Sequence, residues 1–480
     1  MNHSEQLELN FNAPSGNRFR NCMAHGIFTV LFEHPAPGPE LPDDEAAARL
    51  AALEAAASGI RELPCALALT DVRHRNGGRR AVDYAALLPA NRRNHHVVYL
   101  SGQDCTAAAS GGLIAAARAA NLANLVMVSG DAAPGENARA TRKRHFTESV
   151  TALRRLAGSA DARDFFPGAT VNPGLYHAPA LYAGLFKMVK KLQSGAQFIV
   201  AQAGFDMAQL DALRQFMLRR AIFDPLLARL ILLTPERVEK IASGAVPGVT
   251  ISEDFLAILN KELRFSASQF EAAQYRRLEL QAAGCRLLGC TGIQLAGADT
   301  PEKIRIAAGR IHAALREFTN LHQWVEEYKF YLARSDLARQ EGHFYLYREL
   351  LKPAAAQETP PQSQATGFVI PKPGALENWR ERAARFFFPD ADRQAAGERR
   401  WLKQFLTGCR GCAHCRLPQT QFVCPERCPK RLTNGPCGGV RNNGQCEAGN
   451  FPCIHLAVWA RAERRKECDT LENVFVPPVE

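Results

Sequence analysis

Eight cysteines crowd the stretch from Cys409 to Cys453, spaced C-x2-C-x2-C-x8-C-x3-C-x8-C-x8-C-x6-C. They are Cys409, Cys412, Cys415, Cys424, Cys428, Cys437, Cys446 and Cys453, against five in the first four hundred residues. Thiolates this close together, with Gly and Pro at the turns between them, converge on a metal ion or cluster. Two four-sulfur sites fit the count, and so does one site with spare thiols. Zinc would staple a small domain that has little core of its own. An iron–sulfur cluster, such as a [4Fe-4S] centre, would carry electrons instead. The opening C-x2-C-x2-C shares features with ferredoxin runs, but the x8 gap breaks that pattern. His414 and His455 are possible substitute ligands, with solvent exposure the simpler reading for both. Cys468 reads as a free, packed cysteine.

A second group of candidates is polar and sits at the ends of apolar runs. Glu33 leaves FTVLFEHPAP and Asp131 leaves VMVSGDAAPGE. One acid and one charge anchor suit a site that moves a proton. A glutamate leaving so apolar a run is expected to be desolvated, which raises its pKa and lets it hold a proton near neutrality. The plainer alternatives are that Glu33 pairs with an arginine at the rim and that Asp131 caps a helix after Ser129-Gly130. Thr70, Tyr99, Asn172, Gln202, Thr234 and Gln294 close the remaining runs.

These residues need elements to hold them. Apolar, β-branched runs predict strands at Gly26–Glu33, Ala66–Thr70, His96–Leu100, Leu125–Gly130, Gly168–Asn172, Phe198–Gln202, Leu230–Thr234 and Arg286–Gln294. Helical spacing falls between them, at Asp43–Gly59, Thr147–Ala157, Pro179–Gln193, Met207–Arg219 and Pro235–Ala242. Strand–helix alternation demands parallel pairing with right-handed crossovers. Eight units in about 300 residues predict an α/β fold, a (β/α)8 TIM barrel, with its chemistry at the carboxyl ends of the strands. The expected organisation is a barrel over 20–320, a helical extension over 321–352, a linker over 353–375 and a small cysteine-rich metal-binding domain over 376–480.

FTVLFEHPAP, VMVSGDAAPGE and KKLQSGAQFIVAQAGFD, in this order, resemble the flavin-dependent methylenetetrahydrofolate reductases. FVCPERCPKRLTNGPCGG is similar to a zinc-type module found with some bacterial members of that family. The resemblance implies FAD at the barrel mouth and reduction of 5,10-methylenetetrahydrofolate to 5-methyltetrahydrofolate. It places the protein in one-carbon metabolism and methionine biosynthesis. By motif position, Glu33 would be the general acid that opens the folate ring, and Asp131 would contact the pterin. Gln202 would bind folate. Thr70, Tyr99, Ser129, Gly130, Asn172, Lys190 and Lys191 fall at cofactor-contacting positions, with the lysines near the FAD phosphates. Tyr99, Ser129, Ala201 and Asn172 depart from the residues frequent in the family. A folate-binding barrel with methyl-transfer chemistry, or a non-catalytic metal-binding partner protein, are the other readings.

Length and composition agree with an enzyme. At 480 residues, 46% hydrophobic and 22% charged, the chain can bury more than one core. Residues 1–20 lack the apolar centre of a signal peptide, and no run is long and apolar enough to span a membrane. Metal ligation in a reducing cytoplasm is therefore the expected use of the cysteines. A net charge of +11 suits an anionic ligand; without basic–aromatic interleaving, nucleic acid is not expected. NAD(P)H or a protein electron donor is the expected reductant, and a homo-oligomer is possible.

Overall fold

The computed structural model describes residues 16–71, 78–133, 135–175, 177–335, 374–389, 400–412 and 414–479. Eight strands run β1 Thr29–Pro35, β2 Cys65–Thr70, β3 Val97–Ser101, β4 Asn124–Val128, β5 Phe166–Val171, β6 Phe198–Ala201, β7 Leu226–Ile231 and β8 Gly292–Ala296. Each pairs in parallel with the next, and β8 returns to β1, closing the expected barrel. The linker and most of the helical extension expected from sequence lie outside the described residues.

Closure sorts each strand by alternation, since successive side chains point to opposite faces. Outward residues such as Val30, Phe32, Leu67, Leu69, Val98, Ile199, Ile293 and Leu295 pack beneath the surrounding helices. Inward residues Leu31, Ala66, Ala68, Val97, Tyr99, Val126, Phe166, Phe198, Val200 and Leu227 fill the barrel. The helix Arg18–Ala24, capped by the Asn17 side chain, plugs the bottom with Phe19, Cys22 and Met23. Phe19 meets Phe198 edge-on at 5.3 Å, and Phe166 stacks on Phe198 at 5.0 Å. Gly168 makes this layer possible, because a Cβ there would fall 2.3 Å from the Phe198 ring.

Two strands lie elsewhere than predicted. β7 starts and ends earlier than Leu230–Thr234, and Thr234 instead caps the helix Pro235–Ala242 through its hydroxyl. Pairing of Ile199 with Leu226 and of Leu227 with Gly292 sets that register. β8 does not begin at Arg286, because the helix Ala267–Leu287 runs through that residue.

The cysteine-rich region has little regular structure. Short 3-10 turns and the helices Ile454–Arg465 and Asp469–Asn473 frame it. It packs against the barrel helix Ala178–Gln193, where Trp459 stacks on Tyr182 at 6.0 Å beside Phe186. His455 is buried, contrary to the expected exposure, and burial pushes its imidazole down to about 3. No described helix is long and apolar enough to cross a membrane.

Candidate active site

Inward alternation carried to the carboxyl ends puts Glu33, Thr70, Tyr99, Thr170, Gln202, Arg229 and Gln294 on one floor, all lining a cavity of about 330 Å³. The centre of that floor is an ion pair. Arg229 donates from Nε to Glu33 Oε2 at 2.5 Å and from Nη2 to Oε1 at 2.7 Å. Its Nη1 reaches Gln202 Oε1 at 2.8 Å. Gln294 Nε2 donates to Glu33 Oε2 at 2.7 Å, and the Tyr99 hydroxyl donates to Gln294 Oε1 at 2.7 Å.

This network reverses the sequence expectation for Glu33. Burial alone would raise its carboxyl, but the Arg229 charge and hydrogen bonds, with Gln294, outweigh it and hold it below the ordinary value. The rim arginine weighed as the plainer alternative exists, and it is Arg229. Arg229 is absent from the sequence-based candidates because local pattern puts β7 at Leu230–Thr234, beyond it. The signal was a lone arginine inside Leu226-Leu227-Ala228-Arg229-Leu230-Ile231, where a buried cation needs an anionic partner.

Asp131 stands on the rim after Gly130, whose φ of +79° gives the turn its sharpness. Asp131 does not cap the next helix, Ala138–Thr141; Asn137 does. Its side chain remains 59% accessible within the cavity. Burial raises the carboxyl, Lys430 opposes the shift and Glu447 adds to it, leaving it above the ordinary value. Contact with cavity water limits that shift.

The remaining expected cofactor positions have protein partners. Ser129 lines the cavity and its hydroxyl accepts from the Ser149 amide at 3.1 Å. Asn172 donates from Nδ2 to Gly248 O at 2.9 Å and to Gly438 O at 3.0 Å. Lys191 lines the cavity and donates to Thr170 O at 2.5 Å; burial and neighbouring Lys187 push its ammonium down to about 7. Lys190 is not among the lining residues. It faces Asn434 Oδ1 at 3.4 Å, and burial lowers it to about 8.

The roof comes from the cysteine-rich region, through Pro436, Cys437 and Gly438. Glu148 fastens it. This buried carboxylate pairs with Lys187 at 2.7 Å and accepts from the amides of Thr433 and Asn434. Beside the roof opens a wider cleft of about 830 Å³, walled by Val246–Ile251 and Gly439–Asn442. The smaller cavity is the one that gathers the ionisable groups.

Among the described residues, no three Cys, His, Asp or Glu side chains converge as if to hold a metal ion. Burial raises the thiols of Cys428, Cys437, Cys446 and Cys453, so ionised sulfurs there would need a bound cation to compensate them. The Gly411 amide donates to Cys409 Sγ at 3.4 Å, and main-chain amides two residues on also face Cys424, Cys428, Cys446 and Cys453. Cys428, Cys437, Cys446 and Cys453 feel one another's charge, while Cys409 bonds with Cys424. Cys468 stands apart, bonded to Glu463 at 3.0 Å.

Residues 388–480 match one family model, described as methylene-tetrahydrofolate reductase C terminal. This stretch, about a fifth of the chain, is similar to the C-terminal domain of such reductases. No curated protein matches the chain. Among solved structures, a protein from Clostridium thermocellum that binds two copies of 5-methyl-5,6,7,8-tetrahydrofolic acid is 11% identical, covering 62% of this chain and 99% of that one with a TM-score of 0.45. Tryptophan synthase from M. tuberculosis, in its aminoacrylate-bound form, is 14% identical over 62% of this chain and 96% of that one, with a TM-score of 0.35. A flavocytochrome b2 with sulfite bound is 10% identical over 60% and 65%, with a TM-score of 0.34. The stretch that matches this family model supplies the roof of the mouth cavity.

Proposed function

We propose that the barrel mouth binds a reduced folate and reduces it from the 5,10-methylene to the 5-methyl level, Glu33 supplying the proton and a reductant, a reduced flavin or NAD(P)H, supplying the hydride. The observation that supports this most is the position of the reductase-type module, which roofs a cavity floored by Glu33, Arg229, Gln202 and Gln294. In this reading Asp131 accepts hydrogen bonds from the amino and amide donors of a pterin edge. Gln202 lies on the floor beside the ring. Glu33 is the proton donor to the bridging amine, and Arg229 holds it ionised until a ligand intervenes.

The fit of a flavin is narrower. A cavity of about 330 Å³ is at the low end of the roughly 300–1,000 Å³ typical of small-molecule sites. It has room for one ring system, not for a whole FAD together with a folate. Asn172 and Lys191, expected at the cofactor, are engaged by Gly438, Gly248 and Thr170. FAD therefore fits this mouth only with Pro436–Gly438 moved aside. The thiols, by contrast, have donor chemistry suited to zinc or a cluster. Such a group would cross-link the roof or pass electrons.

Methyl transfer is the second reading, favoured by the Glu33–Arg229 pair. A folate already carrying its methyl group requires no opening of the five-membered ring.

One preparation tests both readings. Supplied with reduced flavin or NAD(P)H in the absence of oxygen, the purified protein should convert methylenetetrahydrofolate to 5-methyltetrahydrofolate. Protein that binds 5-methyltetrahydrofolate but reduces no methylene substrate with either donor would favour methyl transfer, and protein that binds no folate would overturn both. Metal analysis of the same sample separates zinc from iron.

A further inference from the structure

We propose that the cysteine-rich module is the second wall of the folate site, and that Lys430 is the positioning residue through which it sets Asp131. The inference rests on the folate reading above and concerns residues that the barrel alone does not contain.

Lys430 reaches out of the module into the loop after β4. Its ammonium donates to Gly130 O at 2.6 Å, stands 3.9 Å from Asp131 Oδ1, and lies 5.5 Å over the Phe146 ring. It also pairs with Glu447, whose Oε1 accepts from the Ala132 amide at 3.1 Å. The Lys430 side chain is only 3% exposed. A cation buried this deeply costs several kcal/mol unless it is paired and hydrogen-bonded. Glu447 alone would satisfy the charge. The bonds to Gly130 and Ala132 go further, gripping residues on both sides of Asp131 and fixing the direction of its carboxylate.

The geometry is one-sided. Lys430 is enclosed by protein, whereas Asp131 is open to the cavity. A carboxylate with a fixed cation behind it and open space ahead is placed to receive the donors of an entering ring. The same chain segment continues into the roof. Lys187 donates to Gly435 O at 3.0 Å, Asn172 binds Gly438 O, and Gly248 approaches so closely that a Cβ there would fall 2.5 Å from Gly438 O. Residues 430–438 thus bring a charge and a ceiling to one site.

The test measures binding of 5-methyltetrahydrofolate by calorimetry, on the full chain with its native metal content. Lys430→Met combined with Glu447→Gln removes the pair without stranding a charge. It should weaken binding about tenfold or more, as expected for loss of one well-placed charge-assisted contact. Lys430→Arg, which keeps the cation, should recover much of that loss; a purely structural lysine would show no such dependence on charge. Gly438→Leu is the second arm. A Cβ at Gly438 meets nothing within 4 Å, so the variant should fold with unchanged melting and still exclude the ligand. Normal affinity in either folded variant would overturn the inference while leaving the folate reading intact. Absence of binding by the unaltered protein would overturn the folate reading, and this inference with it.

Discussion

Glu33 and Arg229 face each other across the floor of the barrel mouth, joined by two hydrogen bonds at 2.5 and 2.7 Å. They come from β1 and β7, and β8 lies between them. Gln294 of β8 pairs in register with Arg229 and donates to Glu33, so the backbone ladder itself aligns the three side chains. Both charges are mostly buried, which makes the pair costly to break from one side.

Arg229→Met should therefore destabilise the fold by about 3–5 kcal/mol, because it leaves the Glu33 carboxylate unpaired. Adding Glu33→Gln should restore most of the loss. Urea denaturation of the two single variants and the double variant reads the coupling directly. A cost below about 1 kcal/mol for Arg229→Met would show that the pair does not carry the charge balance of the floor.

Catalytic pH dependence follows from the direction of the Glu33 shift. A general acid held below 4.5 in the free protein is mostly ionised at neutral pH. The value of kcat/KM should then climb as pH falls from 7 toward 4.5, approaching about tenfold per unit. Glu33→Gln should abolish turnover of methylenetetrahydrofolate and leave folate binding in place. A flat profile, or unchanged turnover in the glutamine variant, would remove Glu33 from the role of proton donor.

Glu148 makes docking of the roof sensitive to acid. Burial raises its carboxyl, but Lys187, Asn434 and Thr433 outweigh this and bring it from 4.5 to about 2. A folded value below the unfolded one means that its stabilisation is fully present above pH 4.5 and is lost as pH falls toward 2. The amount is on the order of 3 kcal/mol. Unfolding of the native chain and of Glu148→Gln, followed from pH 7 to 2, should show a stability difference that shrinks below 4.5. A difference independent of pH would assign the carboxylate no linked role.

Gly168 tests the barrel interior. Gly168→Ala should cost about 1–3 kcal/mol through overpacking against Phe198, and Phe198→Leu should relieve part of it. Thermal melting of the single and double variants is sufficient. Additive losses would place the crowding elsewhere.

Much of the site was legible because a barrel turns local pattern into position. Once apolar runs alternate with helices, the polar residue ending each run falls at the mouth. Glu33, Thr70, Tyr99, Asn172, Gln202 and Gln294 all line the cavity. Thr234 does not, because Leu226–Leu233 is one long run holding a single charge, and local pattern cannot say which six residues of it pair. Lys190 shares its helix with Lys191, yet the Lys190 ammonium meets Asn434 while Lys191 faces the cavity.

The sequence by itself determined the alternation of strands and helices, the identity of most mouth residues and the presence of a thiol-rich second module. Each of these depends on periodicity or spacing within a few tens of residues. Only the tertiary structure decided that Glu33 is ionised by Arg229, and that Lys430 and Gly438 belong to the mouth that Asp131 and Asn172 begin. Those relationships join groups some two to three hundred residues apart. Strand register and domain docking bring such groups together, and burial there strengthens the electrostatic contacts between them.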